Sequence, residues 1–192
     1  MQRRPRVPAN QSNRFEAFTM VEILVVMAII SIIAALTIPL WQRAQHNSKS
    51  AACMNNLRQI GVGVTRYLTE HDQTFPTLAM ARESKDQKVP TIDTELLNYV
   101  GDAKVFACPG DVKRLAETTG TSYLWNYKLN GQKLSSAAVS FVKSDTIDQQ
   151  SRIMVLGDKE GWHPYLKNKL NVLYADGHAS QELTFIDEGD DE

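Results

Sequence analysis

Glu22 is a lone carboxylate at the head of an uncharged stretch that runs from Ile23 to Leu40. At membrane depth a single carboxylate costs about 2.5 to 3.5 kcal/mol on insertion scales, so there it needs a partner or a task. At headgroup level it can cap a helix N-terminus, where negative charge is favoured. Cys53 and Cys108 form a second candidate group. A disulfide between them would close a loop of about 55 residues and stabilise by about 4 kcal/mol in the chain-entropy model; two buried thiols are the alternative. A catalytic thiol is not favoured, because no Cys–His pairing is suggested by position. Asp158, Glu160 and Asp176, with Asp145 and Asp148, offer hard oxygen donors in turns. Calcium takes about six to eight oxygens and no EF-hand spacing is present, so Asp158 and Asp176 are candidate calcium ligands whose other use is turn formation. His163 and His178 lack an H-E-x-x-H pattern, and such loop histidines more often hydrogen-bond the backbone. The sequence holds no G-x-S-x-G, P-loop or G-x-G-x-x-G, so it reads as non-enzymatic and, calcium apart, free of cofactors.

These groups must be positioned by 192 residues that are 43% hydrophobic and 22% charged, a globular composition. The net charge of -1 gives no sign of a nucleic-acid surface, and Lys128, Lys133, Lys143, Lys159, Lys167 and Lys169 are too spread to make one. Charge is nonetheless uneven. Arg3, Arg4, Arg6 and Arg14 precede the apolar stretch, and Asp187, Glu188, Asp190, Asp191 and Glu192 close the sequence.

Ile23 to Leu40 is long enough, at about 27 Å as a helix, to cross a bilayer. The arginines on its N-terminal side put that side in the cytoplasm and the C-terminal bulk outside. A cleaved secretory signal fits less well, since Trp41-Gln42-Arg43 follows the run instead of small residues. A lipoprotein signal at Cys53 would stand too far downstream, and a soluble core helix that is apolar all round needs more protein around it. Pro39 would bend the helix without ending it. Cys53, Leu57, Ile60 and Val64, then Tyr67 or Leu68, recur at helical spacing, so an amphipathic spine continues to about Leu68.

Phe75-Pro76 ends the spine, and 81–90 is a loop by composition. A short helix is expected over 94–100, capped by Thr94 and stopped by Gly101. Strands are expected over 122–127, 152–156 and 171–175, the last turning through a two-residue Asp176-Gly177 hairpin into 178–185. Trp125, Trp162 and Tyr165 can line a groove or a subunit contact, or pack in the core. The fold class is α+β: a long N-terminal helix packed on a small antiparallel sheet.

Ala17-Phe18-Thr19-Met20-Val21-Glu22 and the run after it resemble the processing site of type IV prepilins and type II secretion pseudopilins. The resemblance implies that a prepilin peptidase cuts between Ala17 and Phe18 and methylates the new amine, and that Glu22 pairs with a neighbouring subunit's terminal amine. Ala17 stands where the family usually has Gly, and a Pro near position 39 is part of the pattern. Cys53 to Gly61, Phe106-Ala107-Cys108-Pro109-Gly110-Asp111, Ser122-Tyr123 with Asn126, and Asn171 to His178 resemble the prepilin-type proteins named for an H-x9-DG motif. Here His163 stands further from Asp176-Gly177 than that motif has it.

The implied organisation is a leader (1–17), a transmembrane segment (18–40), an amphipathic spine (41–70), an extracytoplasmic domain (71–186) and an acidic tail (187–192). The implied function is a pseudopilin in a type II secretion-like or type IV pilus-like filament, with Glu22 and Pro39 serving assembly. Its partners would be like subunits, the prepilin peptidase and an inner-membrane assembly platform. It would lie in the inner membrane, N-terminus cytoplasmic, with no nucleic acid. The alternative is a single-span protein with an extracytoplasmic ligand-binding domain.

Overall fold

The computed structural model describes residues 19–136 and 147–182. The leader, Ala17, Phe18, Asp145 and the acidic tail lie outside the described residues, as does the side chain of Asp148. The chain divides into two units at Trp41/Gln42.

Helix α1 runs Met20–Glu70. In the first unit its side chains are exposed throughout, Leu24 at 69% and Leu36 at 72%, and the stretch is apolar and long enough to cross a membrane. Its two hydroxyls do not interrupt that surface. Ser31 donates to the Met27 carbonyl at 2.7 Å and Thr37 to the Ile33 carbonyl at 2.7 Å, so each is satisfied within its own turn. Pro39 lies inside the helix, which continues past it as expected.

The second unit, from Gln42, folds round the remainder of α1. Ser50, Cys53, Leu57, Ile60, Gly61, Val64 and Leu68 are buried at intervals that keep them on one face. Beyond Glu70, Asp72 and Gln73 take left-handed backbone conformations (φ 52° and 57°), and the Gln73 amide donates back to the Leu68 carbonyl at 2.8 Å. That closure satisfies a terminal carbonyl without a glycine.

Two short helices follow, α2 (Ile92–Glu95) and α3 (Leu97–Val100), ended by Gly101 at φ 84°. Thr91, not Thr94, is the N-cap; Thr94 Oγ1 instead accepts from the Thr91 amide at 3.0 Å. No regular element forms over 81–90, where Arg82 pairs with Asp93 and donates from Nε to the Thr119 carbonyl. Helix α4 (Leu115–Thr119) precedes the sheet.

The sheet is antiparallel in the order β1 (Tyr123–Trp125), β2 (Met154–Asp158), β3 (Val172–Tyr174), β4 (Ala179–Ser180). Strand β2 sits two residues later than its aliphatic run suggests. A 3₁₀ turn occupies Ile147–Arg152, and Asp158 is drawn into the ladder because its amide donates to the Asn171 carbonyl at 3.0 Å. Leu173 pairs with Ala179 and the Tyr174 amide donates to the His178 carbonyl at 2.9 Å, which leaves three residues, Ala175 to Gly177, in the hairpin loop instead of two. Gly177 at φ 87° takes the left-handed position that such a loop requires. β4 is correspondingly shorter than the expected strand, whose last residues lie outside those described.

The core joins Leu57, Ile60, Phe75, Leu96, Trp125, Ile153, Leu156 and Leu173. Close approach to α1 depends on two helical glycines. A Cβ on Gly61 would meet Leu173 Cδ1 at 3.0 Å, and one on Gly63 would meet Val100 Cγ2 at 2.5 Å. Gly63→Ala should therefore destabilise by about 1–3 kcal/mol through overpacking, despite the better helix propensity of alanine. Combined with Val100→Ala it should lose less than the two single changes predict. Urea unfolding of the four chains of this cycle checks it, and strict additivity would remove the contact from the account.

Candidate functional site

Two places gather the residues singled out above. The first is the start of α1. Thr19 donates to Glu22 Oε2 from both its amide and its hydroxyl, each at 2.8 Å, and the Glu22 amide donates to Thr19 Oγ1 at 3.3 Å. This is a capping box: cap and N3 residues exchange hydrogen bonds and supply partners to backbone donors that an α-helix leaves open. Glu22 thus caps a helix N-terminus, one of the two uses its position allowed, and the local signal for it is Thr-x-x-Glu. Glu22 itself remains exposed, so the carboxylate is held in place and still reachable.

The second place is the interior of the second unit. Cys53 and Cys108 are joined as a disulfide with Cα atoms 4.9 Å apart, and both are buried. Cys108 is placed by a turn in which the Asp111 amide donates to its carbonyl at 2.9 Å, and its own amide donates to Ser122 Oγ at 3.0 Å. Ser122 in turn donates to Asp111 Oδ2 at 2.8 Å. Position along the chain suggests no Cys–His pairing, yet the fold makes a close contact. His163 Nε2 lies 3.6 Å from Cys108 Sγ. The two residues are 55 positions apart, and β2 with its following turn brings them together, which no local spacing can reveal.

His163 does not bond the backbone through its ring as loop histidines commonly do. Its Nε2 faces Asp158 Oδ2 at 3.3 Å, with both side chains buried. The same carboxylate oxygen accepts from the Asn171 amide at 2.7 Å and from Asn171 Nδ2 at 3.1 Å, while Ser50 on α1 donates to Asn171 Oδ1 at 3.1 Å. Gly110 permits this arrangement, since a Cβ there would meet His163 Cε1 at 2.6 Å.

Asp176 is used elsewhere, accepting from the amide and Nδ1 of His178 in the β3–β4 turn. The two calcium candidates thus serve separate hydrogen-bond sets on different elements. Glu160 pairs with Lys113 at 2.8 Å. The three aromatics do not share a groove: Trp125 is fully buried and donates to Asn130 Oδ1 at 2.8 Å, Trp162 is buried, and Tyr165 is half exposed beside His46 and Arg43. Asn130, which also exchanges hydrogen bonds with the Leu78 backbone, carried no sequence signal.

Tyr123 on β1 faces this interior. Burial pushes its phenol well above the usual range, and the Asp158 and Asp111 carboxylates add to the shift. The folded chain therefore keeps the proton when the unfolded chain releases it near the ordinary value of 10.0. Stability is fully present below that pH and should fall by about 1.4 kcal/mol per unit above it. Tyr123→Phe should lack that slope when urea midpoints of the two proteins are compared at rising pH; equal slopes would show that the hydroxyl titrates freely in the fold.

No curated protein and no solved structure matches the chain. Residues 12–38 match the family described as the prokaryotic N-terminal methylation motif. These residues contain Ala17, Phe18, the Thr19–Glu22 box and most of the exposed apolar helix, so the chain carries a prepilin-type N-terminal segment of the type IV pilin kind.

Proposed function

We propose that this chain is a pilin-like structural subunit, a pseudopilin, assembled into a type II secretion-like or type IV pilus-like filament. The observation that carries the reading is the methylation motif laid over a capped, wholly exposed apolar helix with Glu22 at its head. In this reading the precursor sits in the inner membrane with its leader in the cytoplasm and its sheet domain outside. A prepilin peptidase cuts between Ala17 and Phe18 and methylates Phe18. Loss of Arg3, Arg4, Arg6, Arg14 and Glu16 removes a net +3, taking the chain from -1 to -4.

Assembly then exchanges one apolar environment for another. Packing α1 of one subunit against the next is a heterologous contact that repeats without closing, the geometry of an open filament. The Phe18 amine of an incoming subunit and the Glu22 carboxylate of a neighbour would each bring the opposite charge that the other lacks in a low-dielectric bundle. The role is structural and needs no catalytic group. A disulfide-tied outer domain fits the oxidising side of the membrane.

The test is co-expression with a prepilin peptidase, read by intact mass and N-terminal sequencing, beside a Glu22→Ala variant. A mature chain beginning at methylated Phe18 is expected. The variant should be cut normally yet fail to enter filaments. A chain that keeps Met1 beside an active peptidase would overturn the reading and leave a membrane-anchored domain.

A further inference from the structure

The cluster at the root of the spine helix has a composition that a disulfide alone does not account for. Cys53 Sγ, Cys108 Sγ and a ring nitrogen of His163 all lie within 4.8 Å of one another, and all three residues are buried. Asp158 Oδ2 stands 3.3 Å from the imidazole Nε2. Two sulfurs and an imidazole nitrogen thus gather in a buried place, with a carboxylate oxygen beside the imidazole. The buried Asp158 has the imidazole beside its Oδ2, and its Oδ1 has no hydrogen-bond partner among the described residues.

Two of the separations equal edges of a zinc tetrahedron. Zinc–sulfur bonds of about 2.3 Å and zinc–nitrogen or zinc–oxygen bonds of about 2.0–2.1 Å place adjacent S and N ligands about 3.5–3.6 Å apart, and adjacent N and O ligands about 3.3–3.4 Å apart. The observed edges are 3.6 Å from Cys108 Sγ to His163 Nε2 and 3.3 Å from His163 Nε2 to Asp158 Oδ2. The two sulfurs are covalently joined here and would have to part for a metal to enter between them. The Asn171 amide and side chain, both donating to Asp158 Oδ2, orient the carboxylate as an outer ring of hydrogen bonds does at structural metal sites.

We propose that Cys53, Cys108, His163 and Asp158 form a buried tetrahedral site for zinc in the reduced chain, and that the disulfide is the oxidised, metal-free form of the same site. A small dithiol reductant opens the Cys53–Cys108 bond by supplying two electrons and two protons, and is itself oxidised to a disulfide. The dication then displaces one proton from each thiol, binding two thiolates, the neutral imidazole and the carboxylate. Either form ties α1 to the loop bearing Cys108. The domain would therefore keep its anchor both in a reducing compartment and outside it. This inference does not depend on how the N-terminus is processed.

The test uses the full chain in detergent micelles, reduced without oxygen and titrated with cobalt(II), then with zinc. One cobalt per chain is expected, with the visible bands of tetrahedral cobalt and a thiolate charge-transfer band, both abolished by one equivalent of zinc. The untreated disulfide form should show neither. His163→Gln should weaken cobalt binding by about 100-fold or more while leaving the disulfide able to form. A reduced chain that keeps its helical circular dichroism but binds cobalt no more tightly than a Cys53→Ser, Cys108→Ser double variant would overturn the proposal. A reduced chain that unfolds and does not recover on addition of zinc would overturn it too, as would wild-type affinity in His163→Gln.

Discussion

Everything from Gln42 onward is organised by the need to bury one stripe of α1. Leu57 and Ile60 are sealed from water, and the elements that come closest to the helix beside them follow later in the chain: β3 through Leu173 at Gly61 and α3 through Val100 at Gly63. A helix can approach a sheet this closely only where its own side chains give way, and Gly61 and Gly63 mark those places. Each glycine costs about 1 kcal/mol of helix propensity relative to alanine. The outlay is offset by apolar area removed from water on both partners. The disulfide acts on the same stripe, fixing Cys53 to the turn that follows the buried Phe106.

Beside the apolar stripe runs a polar seam that most small domains avoid. Ser50, Asn171, Asp158 and His163 are all buried, and Ser122 with Asp111 continues the seam toward Cys108. Buried polar groups are tolerable when they answer one another, and here most do: Ser50 to Asn171, Asn171 to Asp158, Ser122 to Asp111. The seam fixes register. Sliding β3 by one residue would separate Asn171 from Asp158 and take two hydrogen bonds from a buried carboxylate, leaving it His163 alone.

Periodicity made the spine legible, because burial every three or four residues is a property of one helix and appears in its own sequence. Asp176-Gly177 likewise announced its hairpin, although the loop length was set by the Leu173–Ala179 pairing, a matter of two strands and not of one dipeptide. The strand that was misplaced, β2, is the one whose end is fixed by a distant asparagine. The same reason hid the cluster round His163: its members come from α1, from the turn after Phe106, from the end of β2 and from the loop beyond it. Each looks ordinary where it stands. The N-terminal box was readable as Thr-x-x-Glu, a pattern that needs only four consecutive residues.

Ser31 and Thr37 have one more consequence. By turning their hydroxyls back onto Met27 and Ile33 they leave the outside of the helix with no preference among apolar surroundings, whether acyl chains or the flank of a sister helix. For the subunit proposed above, bilayer and filament are then near-equal solvents for this segment, and traffic between them is close to thermoneutral along its length. The direction of that traffic would be decided at one end, by whether the Glu22 carboxylate is answered by its own Thr19 or by a neighbour. In the proposed filament, a segment so indifferent to its surroundings would make the assembly a reversible reservoir, filled and emptied by a contact only a few atoms wide.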